Sequence, residues 1–287
     1  MGRVRSSAPR PNSLIDLLAN RMHTFPPRRL VCLTEETVET LYLLGEQDRI
    51  VGVSGYAVRP PEVRREKPRV SSFTSADIPK ILALEPDLVL AFSDLQGPIA
   101  AELASAGIAV HLFNQRSLAG IFTMIRTLGA LVGCSEKAND LATSLERRVE
   151  TIRAETSPQF GRPRVYFEEW DDPLITGIGW VSELIEVAGG EDIFAERGRE
   201  PSAKDRIVKA EDVLARAPDI ILASWCGKKV RPEKIRDREG WRIIPAVQGD
   251  RIFEIKSPII LQPGPAALTD GLDAIRAALR SVPRSRN

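Results

Sequence analysis

The segment ILALEPDLVLAF (residues 81–92) returns 132 residues later as VLARAPDIILAS (213–224). Each copy reads as a helix, a turn at Pro-Asp and a buried strand. Pro86 and Pro218 stop the helix, and Asp87 and Asp219 suit the turn. A looser match sets TLYLLGEQD (40–48) beside LIEVAGGED (184–192). Any helix–turn–strand unit shares apolar patterning, but the common Leu-Ala-x-x-Pro-Asp core goes further. Two matches in the same order predict two lobes of one topology.

A chain of 287 residues has room for two such lobes, since domains usually run ~100–150 residues. Short β-type runs recur at 29–33, 49–54, 87–92 and 108–113, then at 164–168, 219–224 and 251–255. Stretches with helical spacing separate them. This alternation predicts α/β lobes with parallel sheets and right-handed crossovers. The runs are almost continuously apolar, as strands covered on both faces should be. Between the halves, SEKANDLATSLERRVETIRAET (135–156) holds no Gly or Pro and is rich in helix formers. It predicts one long rigid helix with Ser135 as its N-cap. The expected organisation is a flexible tail (1–28), an N-terminal lobe (29–134), a linker helix (135–157) and a C-terminal lobe (158–287).

Lys plus Arg number 40 and Asp plus Glu 39, for a net charge of +1. That balance does not fit a nucleic-acid binder. Cys32, Cys134 and Cys226 are far apart and form no C-x-x-C pair, so buried structural thiols are expected. No stretch approaches the ~20 apolar residues of a membrane span. The basic start lacks the apolar run of a signal peptide, because Asp16 interrupts LIDLLA. As written the chain is expected to be cytoplasmic, with Met22 an alternative start. A start further upstream would make it periplasmic or lipid-anchored.

Several segments, taken in order, resemble the cobalamin- and iron-siderophore-binding proteins that serve ABC importers. They are RLVCLTEETVETLYLLG (29–45), IVGVSGYAVRPPEV (50–63), ILALEPDLVLAF, the long helix, SELIEVAGGEDIF (182–194), VKAEDVLARAPDIIL (208–222) and QPGPA (262–266). The resemblance covers roughly 29–280. It is nearest to the cobalamin binders, through Val-Ser-x-Tyr and the Pro-Pro pair after it. It implies two Rossmann-like lobes on a class III periplasmic-binding-protein-like plan, with a ligand cleft between them. Tyr56 matches an aromatic that clamps the corrinoid in that family. Phe73 and Phe92 stand where it carries tryptophans, and Trp170 lies near a further aromatic position. Glu211 matches one of two glutamates that dock on the transporter, while Pro79 replaces the other. Gln262-Pro-Gly-Pro-Ala266 stands in place of the usual Arg-Pro-Gly-Pro-Arg.

The residues themselves leave two readings open. In the first, Tyr56, Phe73, Phe92, Trp170, Trp180 and Trp225 present flat faces to a planar macrocycle, or else pack within the lobes. Asn114, Glu169 and Gln262 orient the ligand, and Gln115 lies beside Asn114 at the rim. In the second, the carboxylates of FEEWDD (167–172) serve an enzyme or chelate handler. That segment could equally be a solvated loop. His111 sits within a strand run, as a core residue or as an axial ligand to a corrinoid metal. With His23 the only other histidine, a metal site built on several histidines is excluded. The run RPPEVRREKPR (59–69) could draw an anion or form a solvated loop. No phosphate loop, nucleophile elbow or zinc-protease motif is present. The expected function is non-enzymatic binding of a corrinoid or another metal chelate, with no intrinsic cofactor. An ABC permease is the expected partner of a monomer.

Overall fold

The structure, a computed structural model, describes residues 25–156 and 161–283. Most of the expected tail, residues 1–24, lies outside these.

The first lobe is built on five parallel strands: β1 (Leu30–Cys32), β2 (Ile50–Ser54), β3 (Arg69–Ser71), β4 (Leu88–Phe92) and β5 (Val110–Phe113). They lie in the order β3-β2-β1-β4-β5. Helices α1 (Glu35–Leu44), α2 (Ile78–Ala83), α3 (Gly97–Ser105) and α4 (Leu118–Leu131) cover the sheet. All residues of β1 and β4 are buried, which explains their unbroken apolar runs. The strand order reverses between β1 and β4. Ligands of doubly wound sheets sit at such a switch point, beyond the carboxyl ends of the strands.

Helix α5 (Ser135–Glu155) crosses to the second lobe. Its 21 residues span ~30 Å. Ser135 was expected to cap this helix but is its first residue, with Cys134 in the flanking position. Ala138, Ala142, Leu145, Val149 and Ile152 form its buried stripe. Ala138 fits closely because position 129 on α4 is glycine: a Cβ there would meet the Ala138 Cβ at 2.1 Å.

The second lobe contains β6 (Arg164–Asp171), β7 (Leu174–Thr176), α6 (Gly179–Val187), β8 (Glu191–Asp192), α7 (Ala210–Arg216), β9 (Ile220–Ala223), β10 (Ile252–Glu254) and α8 (Leu272–Leu279). Its sheet runs β10-β9-β6-β7, and β8 also pairs with β6. These pairings are parallel except for β7, which returns antiparallel along β6. Only Asp172 and Pro173 separate β6 from β7, too few residues for a crossover. FEEWDD is therefore mostly strand, since β6 continues to Asp171.

The repeat is a repeat of structure. Glu85 and Ala217, each just before the proline, both adopt left-handed backbone at φ 46° and 42°. Asp87 Oδ2 accepts from the N–H groups of Arg28 and Arg29 at 2.7 and 2.9 Å, beside the start of β1. Asp219 Oδ2 accepts from the Arg164 N–H at 2.8 Å, at the start of β6. In both lobes the turn aspartate fastens the neighbouring strand.

One apolar cluster runs from the first sheet through α4, α5 and α6 to the second sheet. The lobes thus share a core on the linker side. Glu39 Oε2 accepts from the Ala266 N–H at 2.9 Å, and Gln115 Nε2 donates to the Pro263 carbonyl at 3.1 Å. These contacts stitch the QPGPA loop to the first lobe.

Candidate functional site

The carboxyl ends of the strands from both lobes converge on one cleft of about 690 Å³. Glu35, Tyr56 and Phe92 reach it from the first lobe, and Glu169, Trp225 and Cys226 from the second. Phe73, Trp180 and Gln262 complete the expected residues found in its wall. Tyr56 is 46% exposed, which leaves its ring free to be covered. Trp180 and Trp225 are set firmly. The Trp180 Nε1–H donates to the Ile260 carbonyl at 2.8 Å, and the Trp225 Nε1–H to Glu168 Oε1 at 3.0 Å. With their polar ends satisfied, both indoles are buried, 3% and 1% exposed, and back the cleft wall from the cores of the molecule.

Two expected residues are not in the wall. Asn114 is exposed beyond the end of β5, and it is Gln115 that turns inward. Trp170 packs on the apolar cluster of the second lobe and is covered by Lys228, whose Nζ lies 4.0 Å from the ring centroid. Residues alternate across a strand, so neighbouring Glu169 and Trp170 diverge to opposite sides. His111 is also off the cleft, edge-on to Phe113 at 4.3 Å. Burial lowers the pKa of its imidazole.

The acids of FEEWDD are largely neutralised by cations. Glu168 is fully buried and binds Arg238 through both oxygens, at 2.5 and 2.9 Å. Glu169 binds the buried Arg206 the same way, at 2.6 and 3.0 Å. Asp171 pairs with Lys228 and, at 3.8 Å, Lys234. Burial would raise the Asp171 carboxyl, but the hydrogen bond and charge of Lys228 outweigh it and hold it below its ordinary range. No free acid–base pair remains among these three.

Other residues take their place. Glu35 and Glu36 open α1 at the end of β1, 8% and 1% exposed. Burial raises Glu35 to about 7 and Glu36 to about 8. Thr34 donates to Glu36 Oε1 at 2.7 Å, and Glu36 Oε2 has no partner among the described residues. Cys226, expected to be buried, is exposed in the cleft wall, whereas Cys32 is buried. Arg64, from the basic run, also lines the cleft, while Arg59 pairs with Glu39 and Asp270. Glu211 and Pro79 lie exposed in the first turns of α7 and α2, equivalent places in the two lobes.

The sequence profile of the family described as periplasmic binding protein matches residues 30–259. The chain belongs to the periplasmic binding protein family. Similar members include the vitamin B12-binding protein of Vibrio cholerae, 28% identical over 252 residues, covering 85% of this chain and 86% of that one. The vitamin B12-binding protein of Yersinia pseudotuberculosis is 30% identical over 226 residues, covering 75% and 77%. An ABC transporter substrate-binding lipoprotein of Bacillus subtilis is 26% identical over 263 residues, covering 88% and 80%. Among solved structures, the Vibrio cholerae periplasmic vitamin B12-binding protein superposes with a TM-score of 0.71 at 26% identity, covering 89% of this chain and 97% of that one. A periplasmic heme-binding protein from Roseiflexus sp. RS-1 shares the fold, with a TM-score of 0.75 at 24% identity and coverage of 88% and 99%. As a member of this family the chain is a binding protein, as its relatives and structural neighbours are.

Proposed function

We propose that this protein captures a corrinoid between its lobes and delivers it to an ABC permease. The observation that carries this reading is the cleft wall. Tyr56 and Phe73 stand open in the wall of one lobe, and the buried Phe92, Trp180 and Trp225 back it, around a volume suited to a large flat ligand. The names of the relatives at 28% and 30% identity favour a corrinoid over other metal chelates. Gln262 and the Glu169–Arg206 pair supply the polar contacts, and the segments 29–134 and 158–287 act as the two gripping lobes. The shared core and the stitched QPGPA loop support only slight closure on binding. Glu211 is the proposed contact for a permease cation.

Titration of the purified protein with cyanocobalamin, cobinamide, hemin and a ferric siderophore, followed by tryptophan fluorescence, tests the reading. The corrinoids bind with Kd below ~1 µM, about −8 kcal/mol. Binding of both corrinoids no tighter than ~100 µM would overturn it, whether or not hemin or the siderophore binds.

Pro79 favours a second reading, in which the protein handles the same ligand without a transporter. A permease–ATPase pair whose ATP hydrolysis responds to wild-type protein but not to Glu211→Ala excludes that alternative.

A further inference from the structure

The lobes share a core, so passage of a large ligand into the cleft falls to a local element. Residues 199–205 of the second lobe have the build of one. They are fixed at both ends. Gly198 packs so closely on α6 that a Cβ there would meet Ser182 Oγ at 2.7 Å. Arg206 is buried and holds Glu169 through two hydrogen bonds, at 2.6 and 3.0 Å. Between these points Pro201, Ser202 and Ala203 lie in the cleft wall, and all of 199–205 except Ser202 are exposed.

The hydrogen bonds of this segment are nearly all its own. The Glu200 N–H donates to the Arg197 carbonyl at 2.9 Å, and the Asp205 N–H to the Ser202 carbonyl at 3.1 Å. Arg197 Nη1 donates to the Asp205 carbonyl at 3.4 Å. None of these resists movement of the segment as a unit. Among the described residues one hydrogen bond leads from 199–205 beyond 197–206. Arg116 Nη1, from the first lobe, donates to the Pro201 carbonyl at 2.7 Å.

Arg116 is itself well placed. At Gly179 a Cβ would meet the Arg116 carbonyl oxygen at 2.4 Å, and nearby the Leu118 N–H donates to Glu183 Oε2 at 2.8 Å. Its Nη2 donates to Asp94 Oδ1 at 3.1 Å. Asp94 and Pro201 both line the cleft, so the guanidinium spans its two walls. The hold is weak enough to open. The Asp94 side chain is 74% exposed, so the ion pair adds little. The Arg116 Nε–H is buried without a partner among the described residues, which offsets part of the gain.

We propose that 199–205 is a flap over one end of the cleft and that Arg116 is its latch. The inference rests on the cleft being the ligand site. Latched, the flap closes that end between Asp94 and Pro201. Released, it swings on Gly198 and Arg206 and lets ligand pass. Arg116 acts on the flap and not on the ligand, so it is a positioning residue. The latch is made in both the free and the loaded protein, and its loss raises the open fraction of both. Entry and exit then quicken by the same factor.

Stopped-flow tryptophan fluorescence with cobinamide, together with hydrogen exchange of the ligand-free protein, tests this. In Arg116→Ala the association and dissociation rates both rise about tenfold, the worth of one charge-assisted hydrogen bond. Amides of 199–205 exchange about tenfold faster, while those of β9 keep the wild-type rate. Arg116→Lys keeps the charge but cannot span both partners; it raises both rates less, and it serves if the alanine variant does not fold. A rise in dissociation alone would mark Arg116 as a ligand contact and overturn the latch, as would unchanged exchange at 199–205. If the wild type binds neither cobinamide nor cyanocobalamin, the corrinoid reading falls, and the exchange rates alone decide the latch.

Discussion

Arg238 and Glu168 form a two-armed ion pair behind the cleft wall, at 2.5 and 2.9 Å, and the same carboxylate accepts the Trp225 indole N–H. The Arg238 guanidinium also lies 4.5 Å from the Trp241 ring centroid. Arg238→Ala would leave a fully buried carboxylate unpaired, at a cost of about 3–5 kcal/mol. Replacing both partners by leucine costs less than Arg238→Ala alone, because no uncompensated charge remains. Urea denaturation of the three proteins checks the order.

Stability should fall as pH rises from about 5 to 8. Glu35 and Glu36 have an ordinary value of 4.5, and burial raises them to about 7 and about 8 in the folded protein. Between these limits the folded state binds more protons than the unfolded state, so raising pH favours unfolding. Below 4.5 both states hold the protons and no penalty exists; above about 8 the penalty is complete. Melting temperatures of the ligand-free protein measured from pH 5 to 8.5 show the decline. Glu36→Gln, which keeps an acceptor for Thr34, flattens it.

The two left-handed turn residues respond alike. Glu85→Gly and Ala217→Gly each stabilise by about 0.5–1 kcal/mol, the relief of left-handed strain less the entropy cost of glycine. Asp87→Ala and Asp219→Ala each destabilise by about 1–2 kcal/mol through lost hydrogen bonds to the neighbouring strand. Denaturant midpoints compare the four variants. An effect in one lobe without its counterpart in the other would separate the repeats.

Aromatics inside and outside the cleft differ in their effect on binding. Phe73→Ala and Tyr56→Ala weaken cobinamide binding about tenfold each, since losing one stacked ring costs ~1–2 kcal/mol. Trp170→Ala leaves the affinity within about twofold, because that ring packs away from the cleft. Isothermal calorimetry on the three variants decides it.

The fold was legible where the determinants are local. Leu-Ala-x-x-Pro-Asp encodes its turn within six residues, and the same aspartate contact holds both copies. The long helix followed from composition alone. The antiparallel β7 leaves no signal in the sequence: the apolar run ends at 168 and the acidic FEEWDD reads as a loop, whereas β6 continues to Asp171. Seven of the nine expected ligand contacts line the cleft, because aromatic and polar residues at strand ends face it when the lobes are opposed. Glu35, Arg206 and Cys226 were not legible. Acids opening a helix usually face solvent, and what buries Glu36 is distant: at Gly264 a Cβ would come within 2.5 Å of the Glu36 Cβ. Arg206 is 2% exposed because Glu169 and the Thr176 carbonyl, both distant in sequence, receive its guanidinium.

A crystal of the protein grown with cobinamide, measured at the cobalt absorption edge, locates the metal directly. With a corrinoid bound between the lobes, one anomalous peak is expected inside the cleft, between the Tyr56 and Trp225 walls. A cobalt peak confined to the outer surface, or a cleft filled only by solvent at saturating cobinamide, would contradict it.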